Sequence, residues 1–296
     1  MSLIDEITLF LEGEGFRCSR QMKGGFETIC TRTLSGKDVR TILPLEVSAV
    51  SEDEAFVFGQ AAGDCMAYIC RSDGYPVIIT EDRWNLQGDV VKARLLAHLE
   101  KFSQAYARNC EVRRIEKNQA RDFLQVNHSY GYAACRYCYG MFLKRQTGHL
   151  AAEPYVPGTL VAVASFSNAR KWVKGDKEIR SYEWTRFASL PGLRISGGMG
   201  KMLKAFIDEV GPDDIMSYAD LEWSEGDVYE ALGFVQEGRK EPVMFSVDPD
   251  TWKRSPVRPG MTSACHCEEG QTARRGNLFF RNFGSNKYRL KLMDYE

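Results

Sequence analysis

No stretch of this 296-residue chain approaches the ~18 consecutive apolar residues that a membrane-spanning helix needs. No internal repeat or low-complexity tract stands out, so a solenoid or a disordered tail is not the expectation. The opening MSLIDEITLFLEGEGF has acids where a secretory leader would be basic. It reads as an amphipathic helix, which makes the expected compartment cytoplasmic, with no membrane partner. A disulfide framework is not implied either. The nine cysteines are odd in number, and most sit singly on apolar segments such as FETIC and CMAYIC, as reduced, partly buried thiols do.

Two cysteine groupings are closer: Cys135-x-x-Cys138 and Cys265-His266-Cys267. Together they offer four zinc ligands. Against zinc, ACRYCYGMF reads as a strand, where residues three apart point to opposite faces. Cys-His-Cys is also tight for one tetrahedral ion. Ordinary thiols with no bound metal are the favoured reading, and zinc is the alternative.

With 44% hydrophobic and 27% charged residues the chain is an ordinary globular one. Its net charge of −1 hides strong segregation. Residues 168–204 carry nine bases against three acids, and 253–291 nine bases against two. Between them, 205–252 holds thirteen acids and two bases. This pattern predicts a basic surface beside an acidic cleft, with Arg170, Lys171, Lys174, Arg281 and Lys287 as the residues to meet a polyanion such as DNA. Solvated loop faces are the alternative.

Periodicity gives helices over 3–11, 53–70 and 89–102 and strands over 26–33, 39–49 and 75–80, a small α/β unit. The pattern restarts near Arg108–Cys110, so two domains are expected, 1–109 and 110–296. In the second, a strand at 111–115 and a helix at 119–126 lead through NHSYGY to the strands YCYGMFLKR and LVAVASFS. The Pro/Gly segment AAEPYVPG joins those two as a hairpin loop. The strand SYEWTRFASL, the glycine-rich RISGGMGKMLKAFIDEV and the strand DIMSYADL come next. FVQEG and VMFSVD then read as a strand pair, 255–276 as a loop, and NKYRLKL as a basic last strand.

The segment SYADLEWSEGDVYEALGF sets acids and aromatics around one strand-to-helix turn. Ser224 or Asp227 is the expected cap, with Glu230 completing a capping box, and Gly233 ends the turn. Asp220, Glu222 and Tyr229 have no such structural account. They sit where clefts open in α/β sheets.

DVYEALGF, after a strand and a glycine-rich loop-helix, resembles the last conserved segment of the GNAT acyltransferase superfamily. The likeness runs from about Cys110 to Asp250. It implies a GNAT-like α/β fold, a mixed sheet with flanking helices. The family order is strand, strand, strand, phosphate-binding loop and helix, strand, then a helix with Tyr-x-x-x-Gly-Phe. The resemblance further implies that Gly197, Gly198 and Gly200, with Arg194 and Lys201 beside them, hold the pyrophosphate of acetyl-CoA or another acyl donor. Tyr229 would protonate the departing thiolate. RISGGMG departs from the usual Arg/Gln-x-x-Gly-x-Gly/Ala loop by placing Met199 at the second small position, so a turn that merely packs stays open.

FLQVNHSYG, the strand hairpin and SYADLEWSEGDVYEALGF resemble, more narrowly, a phage and bacterial group. It includes the Mom DNA-modification protein and domains attached to repair-type nucleases. This implies a transferase acting on nucleic acid or a nucleotide, with His128, Asp220 and Tyr229 as an acid/base set. A non-catalytic DNA-binding module beside a nuclease or repair partner is the second reading. Acyl-CoA-dependent transfer to a small amine is the third. The first domain offers Asp38 and Glu46, but Val47-Ser48 occupy the place where a metal-dependent nuclease wants Glu-x-Lys. Its expected role is recognition or assembly.

Overall fold

The computed structural model describes residues 1–37, 39–147, 155–257 and 276–295. Helix α1 (Leu3–Gly13) leads to β1 (Cys18–Lys23), β2 (Phe26–Arg32) and β3 (Val39–Leu45). Then come α2 (Glu52–Asp73), β4 (Val77–Thr80), α3 (Glu81–Leu86) and α4 (Gly88–His98). The chain continues with β5 (Ser103–Tyr106), β6 (Cys110–Arg114), α5 (Lys117–Asn127), β7 (Tyr137–Leu143), β8 (Leu160–Phe166), β9 (Arg170–Lys174) and β10 (Lys177–Ser189). Next are β11 (Leu193–Ser196), α6 (Gly198–Val210), β12 (Asp214–Asp220), α7 (Asp227–Ala231) and β13 (Val235–Lys240). Last come β14 (Met244–Val247), β15 (Arg254–Pro256), β16 (Leu278–Arg281) and β17 (Ser285–Lys291). No described helix is long and apolar enough to cross a membrane.

Two compact units divide the chain, and they interleave in sequence. The first takes Met1–Val91, Asp220–Glu225 and Arg239–Ser285; the second takes Lys92–Ala219, Gly226–Gly238 and Asn286–Glu296. The break expected at Arg108–Cys110 instead falls inside the second unit, because β5 pairs in parallel with β11 and is thereby tied to the later strands.

In the first unit α1 starts on a capping box. Ser2 accepts the Asp5 N–H, and the Asp5 carboxylate accepts the Ser2 N–H in return. Leu3, Ile7 and Leu11, four apart, form its buried face. The strands run β1-β2-β3-β4, antiparallel until β4 joins β3 in parallel. A second sheet runs β15-β14-β16. FVQEG and VMFSVD therefore do not pair with each other. β14 takes β15 and β16 as neighbours, whereas β13 lies at the edge of the other unit's sheet.

The second unit holds the mixed sheet that the sequence led us to expect, in the order β13-β17-β12-β10-β8-β7-β6, with β9 folded back on β10. Strands β7, β8 and β10 are antiparallel neighbours, β12 is parallel to β10, and α6 and α7 come after β10 and β12 in the chain. The architecture is mixed α/β, a mixed sheet with flanking helices. Pleat alternation sends Tyr139, Met141 and Leu143 of β7 into a cluster with Met202, Leu203 and Phe206 of α6. Cys138 of β7 and Val163 of β8 pack instead with Ala120 and Leu124 of α5. Helices α5 and α6 thus cover opposite faces.

Candidate functional site

The middle of the sheet changes partner at one place. β10 pairs with β12 over Ser181–Glu183 and Asp214–Met216, then with β8 from Trp184 to Ser189, with a bulge between Trp184 and Arg186. Past that point a side chain spans β12 and β10. Ser217 of β12 places its Oγ 3.0 Å from the carbonyl oxygen of Trp184. The same Oγ lies 2.8 Å from Oη of Tyr229. Ser217 Oγ is the donor in both contacts, so its one proton is shared between the Trp184 carbonyl and the Tyr229 oxygen. The tyrosine's own proton is therefore not spent on Ser217. Tyr229 stacks on Tyr288 (ring centroids 5.3 Å apart) and meets Trp184 edge-on, and burial pushes its phenol pKa up.

The turn that carries Tyr229 differs from its expected form. The N-cap of α7 is Gly226, left-handed at φ 107°, with no side-chain cap, so neither Ser224 nor Asp227 caps it. A Cβ at Gly226 would stand 2.6 Å from Cζ of Tyr288, which explains glycine there twice over. Gly233 (φ 87°) ends the turn as expected. Ser217 is the residue that sequence reading missed. Ile215, Ser217 and Ala219 form one buried row of β12, and a serine in such a row is the signal that could have found it.

Gly197, exposed and left-handed at φ 74°, is the N-cap of helix α6. Its first turn carries no acid, unlike those of α1, α2, α3, α4 and α7. An added Cβ would come within 3.2 Å of Ile195 at Gly198 and within 3.2 Å of Leu232 at Gly200, so close packing accounts for those two glycines by itself. Gly197 has only the Ala107 methyl, at 3.6 Å. Lys201 sends its ammonium to the carbonyls of Ala107 (2.9 Å) and Cys110 (2.7 Å), tying α6 to the start of β6. Arg194, exposed on β11, has its guanidinium 5.3 Å from the Phe102 ring.

His128 caps the C-terminal end of α5, and its Nδ1 accepts the Tyr130 N–H at 3.0 Å. A proton-transfer role would therefore fall to Nε2. Its helix covers the face opposite α6, whereas Tyr229 packs in the α6-side cluster. Asp220 belongs to the first unit and Tyr229 to the second. Oδ1 of Asp220 accepts the Glu222 N–H at 3.0 Å, the local turn an aspartate commonly makes, and Oδ2 lies 3.9 Å from Nη2 of Arg83.

Glu222 proves to have a structural account after all. It is 2% exposed and accepts from Arg83 Nε (2.9 Å) and Arg254 Nη1 (2.7 Å). Arg254 also donates to Asp82 Oδ1 and Thr80 Oγ1, both at 2.9 Å, and lies 4.3 Å from the Phe280 ring. Burial alone raises the Glu222 pKa, but the two guanidiniums outweigh it and the net direction is down. Glu46, one of the two acids weighed for a nuclease, accepts the Leu3 N–H at the start of α1. Asp38, the other, lies outside the described residues, as do Cys265, His266 and Cys267. Among the described residues no group of three or more His, Cys, Asp or Glu is placed to hold a metal ion.

The charge runs find one another. Arg180, Lys204, Arg254, Lys287 and Arg289, all from the basic stretches, pair with Asp213, Asp208, Glu222, Glu237 and Asp214 from the acidic one. The expected acidic cleft is in large part internal counter-charge. Of the five cations expected to meet DNA, Arg170 and Lys171 are exposed on β9, with Lys171 2.8 Å from Glu178. Lys287 lies 3.1 Å from Glu237, and Arg281 lies over the Phe56 ring at 4.7 Å. The side chain of Lys174 is outside the described set.

No protein-family model matches the chain, and no curated protein matches it. Among solved structures it is similar to Eis1 from Mycobacterium abscessus, at 15% identity and a TM-score of 0.31, over 51% of this chain and 36% of that one. The chain thus spans about a third of Eis1. It is also similar to a point mutant of the AtaT toxin bound to the C-terminus of the antitoxin AtaR and acetyl-CoA. That match has 12% identity and a TM-score of 0.26, and covers 58% of this chain and 93% of that one.

Proposed function

We propose that the second unit is an acyltransferase that takes its acyl group from a coenzyme A thioester and passes it to an amine. The observation that carries this reading is the phenol of Tyr229. It is partly buried, its pKa is raised by that burial, and its oxygen accepts a hydrogen bond from Ser217 where β10 leaves β12. Such a group stays protonated at neutral pH and can give a proton to a leaving group, while Ser217 fixes where its oxygen sits.

The head of α6 fits the phosphates of such a donor. The first-turn N–H groups of a helix lack intrahelical acceptors and carry the positive end of its dipole. Here no acid competes, and the exposed residue at the head is glycine. Gly197, Gly198 and Gly200 would present backbone, Arg194 would supply charge, and Lys201 would act by positioning the helix. When bound, the thioester supplies an activated carbonyl. In this reading His128 shapes the turn that ends α5, and any proton transfer at His128 is through Nε2.

A second reading of the acceptor, a nucleobase in DNA as in Mom-like modification, is favoured by exposed Arg170, Lys171 and Lys177 around Trp172 on the β9–β10 hairpin. A DNA-binding module without chemistry, working beside a nuclease, is its non-enzymatic form.

The test is calorimetric titration with acetyl-CoA, wild type against Gly197→Asp, and then thiol release in the presence of a panel of amines or duplex DNA. Aspartate tolerates the left-handed conformation and is favoured at a helix N-terminus, so the variant should melt no lower than wild type. Its carboxylate would repel a phosphate, and affinity should fall at least tenfold. An absence of wild-type binding, or equal binding by the variant, overturns the donor assignment. Mass analysis of the amine and of the DNA decides the acceptor.

A further inference from the structure

The reading of ACRYCYGMF as one strand set Cys135 and Cys138 on opposite faces. The structure starts β7 only at Tyr137, so Cys135 lies in the preceding loop and is free of the pleat rule. The two sulfurs come 3.3 Å apart. Their surroundings are unequal. Cys138 is 2% exposed, packed with Ala120, Leu124, Val163 and Ala188. Cys135 is half-buried, with the Tyr132 hydroxyl 3.5 Å from its sulfur. No third His, Cys, Asp or Glu joins them among the described residues.

We propose that Cys135 and Cys138 form a dithiol–disulfide couple, with Cys135 the attacking thiol and Cys138 the resolving one, oxidised by low-molecular-weight disulfides. The arrangement has the three features such a couple needs. The sulfurs need close only by about 1.3 Å to reach a bonded separation of ~2.05 Å. One thiol is reachable and the other shielded, which fixes the order of events. The reachable thiol also ionises readily. The Cys138 S–H hydrogen bond pulls the Cys135 pKa down to about 6 against the opposing effect of burial, and the Tyr132 hydroxyl adds to the pull. The Cys138 thiol is pushed up by the same hydrogen bond and by burial.

The Cys135 thiolate attacks one sulfur of an oxidised disulfide. That S–S bond breaks, one thiolate leaves, and a mixed disulfide forms on Cys135. Cys138 loses its proton to solvent and attacks the Cys135 sulfur, expelling the second thiolate. The protein gives up two electrons and two protons, and the small disulfide becomes two thiols. The product pins the loop between α5 and β7, whose Gly131 carbonyl accepts from Arg186 Nε. This couple does not depend on the acyltransferase reading.

The experiment equilibrates the reduced full chain with mixtures of oxidised and reduced glutathione, quenches in acid, alkylates remaining thiols and maps peptides. Arg136 lies between the two cysteines, so trypsin converts the disulfide into a link between peptides 122–136 and 137–144. That linked pair should dominate as the glutathione ratio becomes oxidising. Cys138→Ser should trap a stable glutathione adduct on Cys135, and Cys135→Ser should leave Cys138 unmodified. In the reduced wild type at neutral pH, Cys135 should alkylate at least tenfold faster than Cys18 and Cys70, whose thiols burial pushes up. The proposal falls if both thiols remain alkylatable in a tenfold excess of oxidised glutathione, or if Cys135→Ser moves the adduct to Cys138. Should Cys135→Ser not fold, the wild-type link and the Cys138→Ser adduct decide it alone.

Discussion

Ser217 holds the phenol oxygen of Tyr229 by donating to it from 2.8 Å, the same Oγ lying 3.0 Å from the Trp184 carbonyl. The phenol oxygen thus has a defined position before any substrate arrives. Tyr229→Phe keeps the ring stacked on Tyr288 and removes only the hydroxyl. We expect turnover to fall about 100-fold with little change in melting temperature. Ser217→Ala keeps the phenol but removes the hydrogen bond that lowers its pKa, so it should cost less activity and move the basic limb of the pH–rate profile upward. Thiol-release kinetics and calorimetry on both variants check this. Unchanged turnover in Tyr229→Phe would leave the phenol as core packing.

Two glycines in the same turn separate strain from crowding. Gly233 and Gly226 both have positive φ, but a Cβ at Gly233 meets only Leu290, at 3.7 Å, whereas one at Gly226 strikes the Tyr288 ring. Gly233→Ala should cost ~1–2 kcal/mol for the left-handed backbone. Gly226→Ala should cost ~1–3 kcal/mol more for overpacking. Urea unfolding of the pair measures the difference, and equal losses would mean that Tyr288 can move aside.

Glu222 makes the first unit acid-sensitive. Its carboxyl titrates below the ordinary ~4.3 when folded. In acid the unfolded chain therefore takes up the proton first. The stabilisation is complete above about pH 4.5 and is lost as pH falls through the folded value. Glu222→Gln should cost ~3–5 kcal/mol at neutral pH, since it leaves two buried guanidiniums sharing less negative charge. It should also flatten the acid arm of a stability–pH curve. A variant with the same acid arm as wild type would assign that arm to other carboxylates.

Duplex DNA offers a test of the acceptor. Two of the four described cations expected to meet it already have carboxylate partners, so the amine reading predicts no more than two phosphate contacts. The slope of log K against log salt should then be no steeper than about −1.8. A steeper slope that relaxes in Arg170→Gln and Lys171→Gln would turn the choice to nucleic acid.

The elements legible in the sequence were those whose apolar pattern survives folding: α1, α2, α5, α6 and the strands β2, β3, β4, β7, β8, β10 and β12. β1 carries almost wholly exposed side chains and has no apolar rhythm to read, and β13, exposed along its length, reads as a strand but with the wrong partner. β5 is four residues long and is defined by its partner β11 rather than by its own composition. Tyr229 was visible as a residue that capping did not explain. Ser217 was not, because its role depends on the carbonyl of a strand thirty-three positions earlier. Charge misled for the same reason. Runs that look segregated along the chain neutralise each other once β10, β12, β13 and β17 lie side by side.

The position of β17 has a consequence for how the protein is made. The last strand in sequence lies inside the sheet, between β12 and β13. A ribosome adding ~5–20 residues per second reaches Ser285 several seconds after it has finished Asp220. Through that interval the edge of β12 has no neighbour on that side, an unpaired template of the kind that recruits other nascent chains. Slowing translation between these points should raise the aggregated fraction, and a chaperone that shields strand edges should lower it.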